Sequence, residues 1–170
     1  MISLNELNTL PDDAFVAQLA GIYEHSEWVA RQVIAQKPFR KLSCLRDAMR
    51  DAVNHASDDA KLTLIRAHPD LAGKLARAGA LTASSTQEQA GLGLDRLSAA
   101  EFEQFTTYNT RYHDRFGFPF IICARKTTKL AVLAAFETRL THSRPTEIAE
   151  ALTQIHQIAD LRLQDSITKA

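Results

Sequence analysis

Apolar residues recur at intervals of three and four along almost the whole of this 170-residue chain, and no stretch of six or more alternates cleanly between apolar and polar. A helix repeats about every 3.6 residues and a strand about every two, so only helices bury such a pattern on one face. The spacing predicts an all-α fold with helices over 4–10, 12–24, 27–36, 45–56, 58–67, 71–78, 86–92, 99–116, 128–140 and 146–167. Three starts carry local signals: Ser57 ahead of Asp58 and Asp59, Ser98 with Glu101 three positions on, and Pro145 at the head of the last helix. One segment resists the pattern. In FGFPFIIC, residues 116–123, Gly117 and Pro119 break the helix, and the aromatic and branched residues around them predict an extended, buried connection.

A chain of this length buries a core without staples, and no repeat, linker or low-complexity run divides it. The expectation is therefore a single compact domain over 1–170, of about eight to ten helices. Twenty Lys and Arg balance twenty Asp and Glu, leaving no excess positive field to draw the chain onto nucleic acid or anionic lipid. The longest apolar run, 116–124, falls short of the ~20 residues that span a bilayer. The first residues, MISLNELNTLPDD, lack the basic and apolar regions of a secretory signal. Cys44 and Cys123 form no metal-binding or redox pattern and read as free, buried thiols in a reducing compartment. A cytoplasmic protein that takes a small ligand fits these features.

Chemistry could sit in three places. In AHPDLAGKLA, from residue 67, Pro69 pushes His68 out of the helical region and holds its imidazole at a helix C-terminus, where exposed carbonyls favour the protonated ring. Either a C-terminal cap or a proton donor near neutral pH follows from that placement. In LTASSTQEQAG, 81–91, Ser85 and Glu88 have the spacing of a capping box, which leaves Gln89 unexplained. If Ser85 opens a helix, its hydroxyl, the free N–H groups and the Glu88 and Gln89 side chains make one polar site for amide or carboxylate groups. On the last helix an inward stripe of Ile148, Leu152, Ile155 and Ala159 carries Arg162 inward with it. Its partner is either a buried Asp or Glu or the carboxylate or carbonyl of a ligand.

Other candidates are weaker. His25, His55, His142 and His156 read as surface residues near helix ends, and Phe102, Phe105, Tyr112 and Phe116 as core. His113-Asp114 brings to mind the metal site of HD phosphohydrolases, whose further ligands have only loose candidates here in His25, His68 and Asp160.

Taken together, EHSEWVA (24–30), AHPDLA (67–72), STQEQAGL (85–92) and NTRYHDRFGFPFIICARK (109–126) resemble the 2-oxo-4-hydroxy-4-carboxy-5-ureidoimidazoline (OHCU) decarboxylase family, which acts late in uric acid degradation. The likeness spans nearly the whole chain. It implies a compact all-helical enzyme in which His68 matches the catalytic histidine, Glu88 its partner carboxylate and Arg162 the arginine lining the pocket. Pro69, Ser85, Gln87, Gln89 and Phe120, Ile121, Ile122, Cys123 and Ala124 fall at substrate-contacting positions. The resemblance further implies a homodimer with OHCU as its small-molecule substrate, (S)-allantoin as product, and neither metal nor organic cofactor. Peroxisomal members end in Ser-Lys-Leu, whereas this chain ends in Thr168-Lys169-Ala170, which again points to the cytoplasm. The rival readings are an HD-like metal-dependent phosphohydrolase and a non-enzymatic helical module that binds a partner helix in a groove.

Overall fold

The computed structural model describes residues 1–73 and 81–168. Their chain order is β1 (Ile2–Ser3), α1 (Leu4–Thr9), α2 (Asp12–Leu19), α3 (Glu27–Val33), α4 (Leu42–Asn54), α5 (Asp58–Arg66), α6 (Ala83–Gly91), α7 (Ala99–Phe116), α8 (Lys129–Arg139), α9 (Arg144–Ser166) and β2 (Ile167–Thr168). Single 3-10 turns lie at Ile34–Gln36, Leu94–Arg96 and Ala124–Lys126. The all-α expectation holds, with nine α-helices among the described residues. From 74 on, the helix expected over 71–78 lies outside them; Leu71 and Ala72 form a turn.

The chain divides into two compact units, 1–67 with 156–170, and 68–155. In the first, α3 packs on α2 and α4, and Leu7, Phe15, Val29, Val33, Leu45, Met49, Leu64 and Ile65 are buried. Its two ends meet as a short parallel pairing of Ile2 with Ile167 and Ser3 with Thr168, which no local pattern announced. The helix expected to reach residue 24 stops at Leu19, and the chain turns through Gly21 to His25, whose φ is +47°. His156 is a correction. Instead of facing solvent it is buried, with Nδ1 2.9 Å from the Tyr23 hydroxyl and Nε2 3.2 Å from Asn54 Oδ1. Burial and the nearby Arg50 charge push its pKa down to about 4. Cys44 is a second correction, because its thiol is exposed rather than buried.

The second unit is built around α7. Ser98 caps it and Glu101 completes the capping box, as expected. Phe105, Asn109, Tyr112 and Phe116 form its buried stripe, so Phe102 is less buried than the core role given to it. Gly117 ends the helix with φ +76°, a conformation glycine adopts without a side-chain clash. The following connection runs irregularly, with Phe118, Phe120, Ile121 and Cys123 buried, which matches the expected buried loop.

A buried ionic cluster anchors that loop. Arg139 on α8 donates from Nη1 to the Ile121 carbonyl at 2.7 Å and from Nε to Glu147 at 2.9 Å, and its guanidinium lies 4.3 Å from the Phe120 ring centroid. The Tyr112 hydroxyl also donates to Glu147, whose other carboxylate oxygen lies 2.7 Å from His142 Nδ1. His142 is therefore partly buried, not a surface residue. The inward stripe of α9 holds at Ile155 and Ala159, which are buried as expected, but its first half is turned by one residue: Glu147 and Ala151 are buried, while Ile148 and Leu152 are only partly so.

Candidate active site

The site is best built from α6, because its helix start decides what Ser85 and Glu88 are free to do. Thr82 is the N-cap: its hydroxyl accepts from the Ser85 amide at 3.2 Å. Ser85 therefore sits inside the first turn, and the capping box expected for Ser85 and Glu88 does not form. Sequence alone could not choose among Thr82, Ser84 and Ser85, all good caps. One turn apart, Ser85 and Gln89 are both buried, at 4% and 6% exposure, and Glu88 flanks them, partly buried. Gln87 lies about 200° around the helix from Ser85 and is exposed, so it does not join that face.

His68 is 8% exposed and follows Ala67, the C-cap of α5. The loop beyond it is held by side chains of the second unit. Gln89 spans two loop residues, accepting the Ala72 N–H at 2.9 Å and donating to the Asp70 carbonyl at 3.2 Å. From α7, Asn109 donates to the Leu71 carbonyl at 2.8 Å, and His113 Nε2 lies 3.1 Å from Asp70 Oδ1. Gln89 thus has a structural use that the resemblance did not anticipate: both ends of its amide engage the backbone that follows His68. The signal that could have found this is modest, a glutamine on the buried face of a short helix with no local partner.

α6 also packs against the 3-10 turn Ala124–Lys126, which brings the predicted wall residues to the same helix. Burial pushes the Cys123 thiol up from its ordinary value, Lys126 opposes the shift and the Glu88 carboxylate adds to it, so Glu88 and Cys123 feel one another electrostatically. The Cys123 amide donates to Gln154 Oε1 at 2.9 Å. Within this unit, then, the structure brings together the His68 loop, Ser85, Glu88, Gln89 and the 120–124 segment. His68, Ser85 and Glu88 each make further interactions besides these. A cavity of about 350 Å³ is lined by Asp70, Gly73, Thr106, Asn109, Thr110, His113 and Asp114; His68, Ser85 and Glu88 are not among its walls.

Arg162 belongs to the first unit. It points inward as expected and is 5% exposed. Nη1 donates to Glu24 Oε2 at 2.7 Å and to the Gly21 carbonyl at 3.1 Å. Of the two partners left open, the protein supplies a carboxylate, itself buried at 2% exposure. Glu24 was missed as the partner of Arg162 because the two lie 138 positions apart. His113, the head of the proposed metal pair, is spent on Asp70. Among the described residues no cluster of three His, Cys, Asp or Glu side chains is arranged to hold a metal ion.

An all-helical chain with a buried histidine on a braced loop beside a carboxylate-bearing helix has the parts of an acid/base enzyme. The family model for OHCU decarboxylase matches residues 8–164, and the chain belongs to that family. The 2-oxo-4-hydroxy-4-carboxy-5-ureidoimidazoline decarboxylase of Haloferax volcanii is 42% identical over 164 residues, covering 96% of this chain and 95% of the relative. A crystal structure of (S)-allantoin synthase superposes with a TM-score of 0.78 at 35% identity over 98% of this chain, which spans 54% of that longer one. A crystal structure of OHCU decarboxylase in the presence of (S)-allantoin superposes with a TM-score of 0.70 at 22% identity, over 87% of this chain and 96% of that one. That second likeness speaks to the fold.

Proposed function

We propose that this chain is a carboxy-lyase that converts OHCU to (S)-allantoin in uric acid degradation, with His68 as its acid/base. The observation that supports the site assignment is the joining of the loop after His68 to α6 through Gln89; the same helix carries Ser85 and Glu88, whose positions match the family motif.

The compound's own structure sets the chemistry. One carbon bears both carboxylate and hydroxyl, and its ring neighbour, which carries the ureido group, is doubly bonded to nitrogen. When the bond to the carboxylate breaks, CO2 leaves. The released pair forms a carbon–carbon double bond, and the former C=N pair moves to the ring nitrogen, which takes up a proton. The hydroxyl then loses its proton as the carbonyl forms, and a proton is added to the ureido-bearing carbon, creating the stereocentre. The substrate is its own electron sink, so the protein's task is orientation, stabilisation of developing charge and one stereospecific proton transfer.

His68 exchanges that proton with the hydroxyl or the ureido-bearing carbon. Glu88 orients His68 or accepts a substrate N–H. Ser85 and the 120–124 backbone hydrogen-bond the ureido and ring groups, and Pro69 and the aromatic wall keep the site dry. Arg162 holds an anionic or carbonyl oxygen, as its match to the family's pocket arginine implies. A homodimer in the cytoplasm completes the reading. The family resemblance supports the dimer; among the described residues, no helix is long and apolar enough to cross a membrane. Light scattering on the purified protein at twice the protomer mass, 18.9 kDa, is the expected result.

The test generates the unstable intermediate from urate in situ and follows chiral allantoin by circular dichroism. His68→Ala is expected to lose about 10²- to 10⁴-fold in rate while its helical signal and Tm stay near wild type. An active His68→Ala enzyme would remove His68 from the mechanism. Arg162→Lys keeps the charge but loses the planar fork, and the expected result is a raised KM.

A further inference from the structure

We propose that Asn109 and His113, neighbours one turn apart on α7, are positioning residues for the decarboxylation, fixing the His68 imidazole through the backbone that follows it. The proposal rests on the reading of His68 as the proton-transferring group.

The loop 68–73 is short, irregular and unusually constrained. Pro69 fixes the backbone on the C-terminal side of His68. Three residues on, Ala72 has φ +53°, a left-handed conformation that strains a residue with a Cβ. At Gly73 a Cβ would come within 2.8 Å of Asp70 Cβ, so the turn closes too tightly there for any side chain. Such a conformation persists only where its surroundings over-determine it.

Here the surroundings are three side chains acting on three consecutive residues. The carbonyl of Asp70 accepts from Gln89, the carbonyl of Leu71 accepts from Asn109, and the N–H of Ala72 donates to Gln89. His113 meets the Asp70 carboxylate. None of this is local secondary structure. Asn109 reaches across 38 positions and His113 across 43.

Asn109 is the more telling of the two. It is 7% exposed, in a buried stripe otherwise made of Phe105, Tyr112 and Phe116, where an apolar side chain would pack without desolvation cost. Its Oδ1 has no hydrogen-bond partner among the described residues, an uncompensated desolvation for a buried acceptor. Only the donor end is used. A polar side chain in an otherwise apolar stripe, whose donor end alone is engaged and is aimed at the loop that carries His68, holds that loop in place. Displacing a reacting group by about 1 Å can cost about 10²-fold in rate, so three hydrogen bonds that fix the loop bear on turnover without touching substrate.

The experiment uses the full chain with the intermediate generated from urate in situ. Asn109→Leu fills the stripe and removes the donor; the expected result is a ten- to hundredfold fall in kcat with KM little changed and Tm held or raised. His113→Leu lowers kcat by a smaller factor, and His113→Gln, which keeps an N–H for Asp70, restores most of it. Because both act through the imidazole, adding Asn109→Leu to His68→Ala produces no further fall. A folded Asn109→Leu enzyme with wild-type kcat, or the same fractional loss in both backgrounds, would overturn the positioning role. Should Asn109→Leu not fold, the His113 pair decides, since that side chain is 44% exposed and its removal leaves the core intact; equal rates for Leu and Gln there would overturn the role. Loss of activity in His68→Ala beside silent Asn109 and His113 variants refutes positioning alone, whereas a fully active His68→Ala refutes the reading beneath it.

Discussion

Three stretches of this chain carry the pattern Ser-x-x-Glu, at 3–6, 85–88 and 98–101; the first and last form capping boxes, and the fold uses 85–88 differently. At 98–101 the pattern is a capping box: Ser98 accepts from the Glu101 amide at 3.2 Å and Glu101 accepts from the Ser98 amide at 2.9 Å. At 85–88 the cap has moved to Thr82, three positions upstream. Ser85 is buried within the first turn, and Glu88 shares the electrostatic surroundings of Cys123. A local motif states what a helix end can do; a competing cap one turn earlier decides whether it is needed for that. At 85–88 it is not, and the hydroxyl and carboxylate stand on a helix that also grips the loop after His68.

The contrast can be broken by making the same change in both places. The largest effect is expected from Glu88→Gln, which should cost about 10²-fold or more in kcat if the carboxylate supports acid/base chemistry while leaving Tm near wild type. Glu101→Gln should leave kcat untouched. Next come the serines and their caps. Thr82→Ala and Ser98→Ala each remove a working cap and should lose about 1 kcal/mol, a drop of about 2–4 °C in Tm for a chain of this size. Ser85→Ala should keep the cap and the Tm but, if Ser85 holds substrate as proposed, raise KM. Equal thermal losses for Ser85→Ala and Ser98→Ala would restore the capping-box reading of both stretches.

The smallest effect lies in pH. Hydrogen bonds from Lys129 first, then from Ser98, hold the Glu101 carboxyl down at about 2, against an ordinary 4.5. Folding therefore favours the ionised form. Its contribution is complete above about 4.5 and is lost as pH falls through about 2. The stability gap between wild type and Glu101→Gln, followed by denaturant titration, should be constant above 4.5 and shrink across that window. The carboxylate is exposed enough for salt to weaken the effect. A gap that grows on acidification would contradict the pairing.

Much of the fold was legible because its determinants are local. The three- and four-residue spacing of apolar positions located the helices, Ser57 and Ser98 marked two starts, and Gly117 and Pro119 marked the irregular wall. What escaped depends on partners far apart in sequence. The burial of His156 needs Tyr23, 133 positions away, and the end-to-end pairing of Ile2–Ser3 with Ile167–Thr168 has no signature in either dipeptide. The inward direction of Arg162 followed from helical geometry, but its carboxylate partner did not, since nothing in the turn around Gly21 distinguishes Glu24 from its acidic neighbours. In the candidate site, His68 was found because proline restricts its backbone, and Gln89 was noticed because capping did not explain it. Its grip on Asp70 and Ala72 and the support from α7 required three dimensions.

The most direct test of the central claim is the rate and handedness of allantoin formed from in situ generated OHCU by wild type, Glu88→Gln and Glu101→Gln enzymes at matched concentration. Wild type and Glu101→Gln should yield (S)-allantoin rapidly, and folded Glu88→Gln should fall back toward slow, racemic formation. Equal rates and equal enantiomeric excess for all three would contradict the division of labour between the two glutamates, and a wild-type protein no faster than the spontaneous reaction would contradict the activity itself.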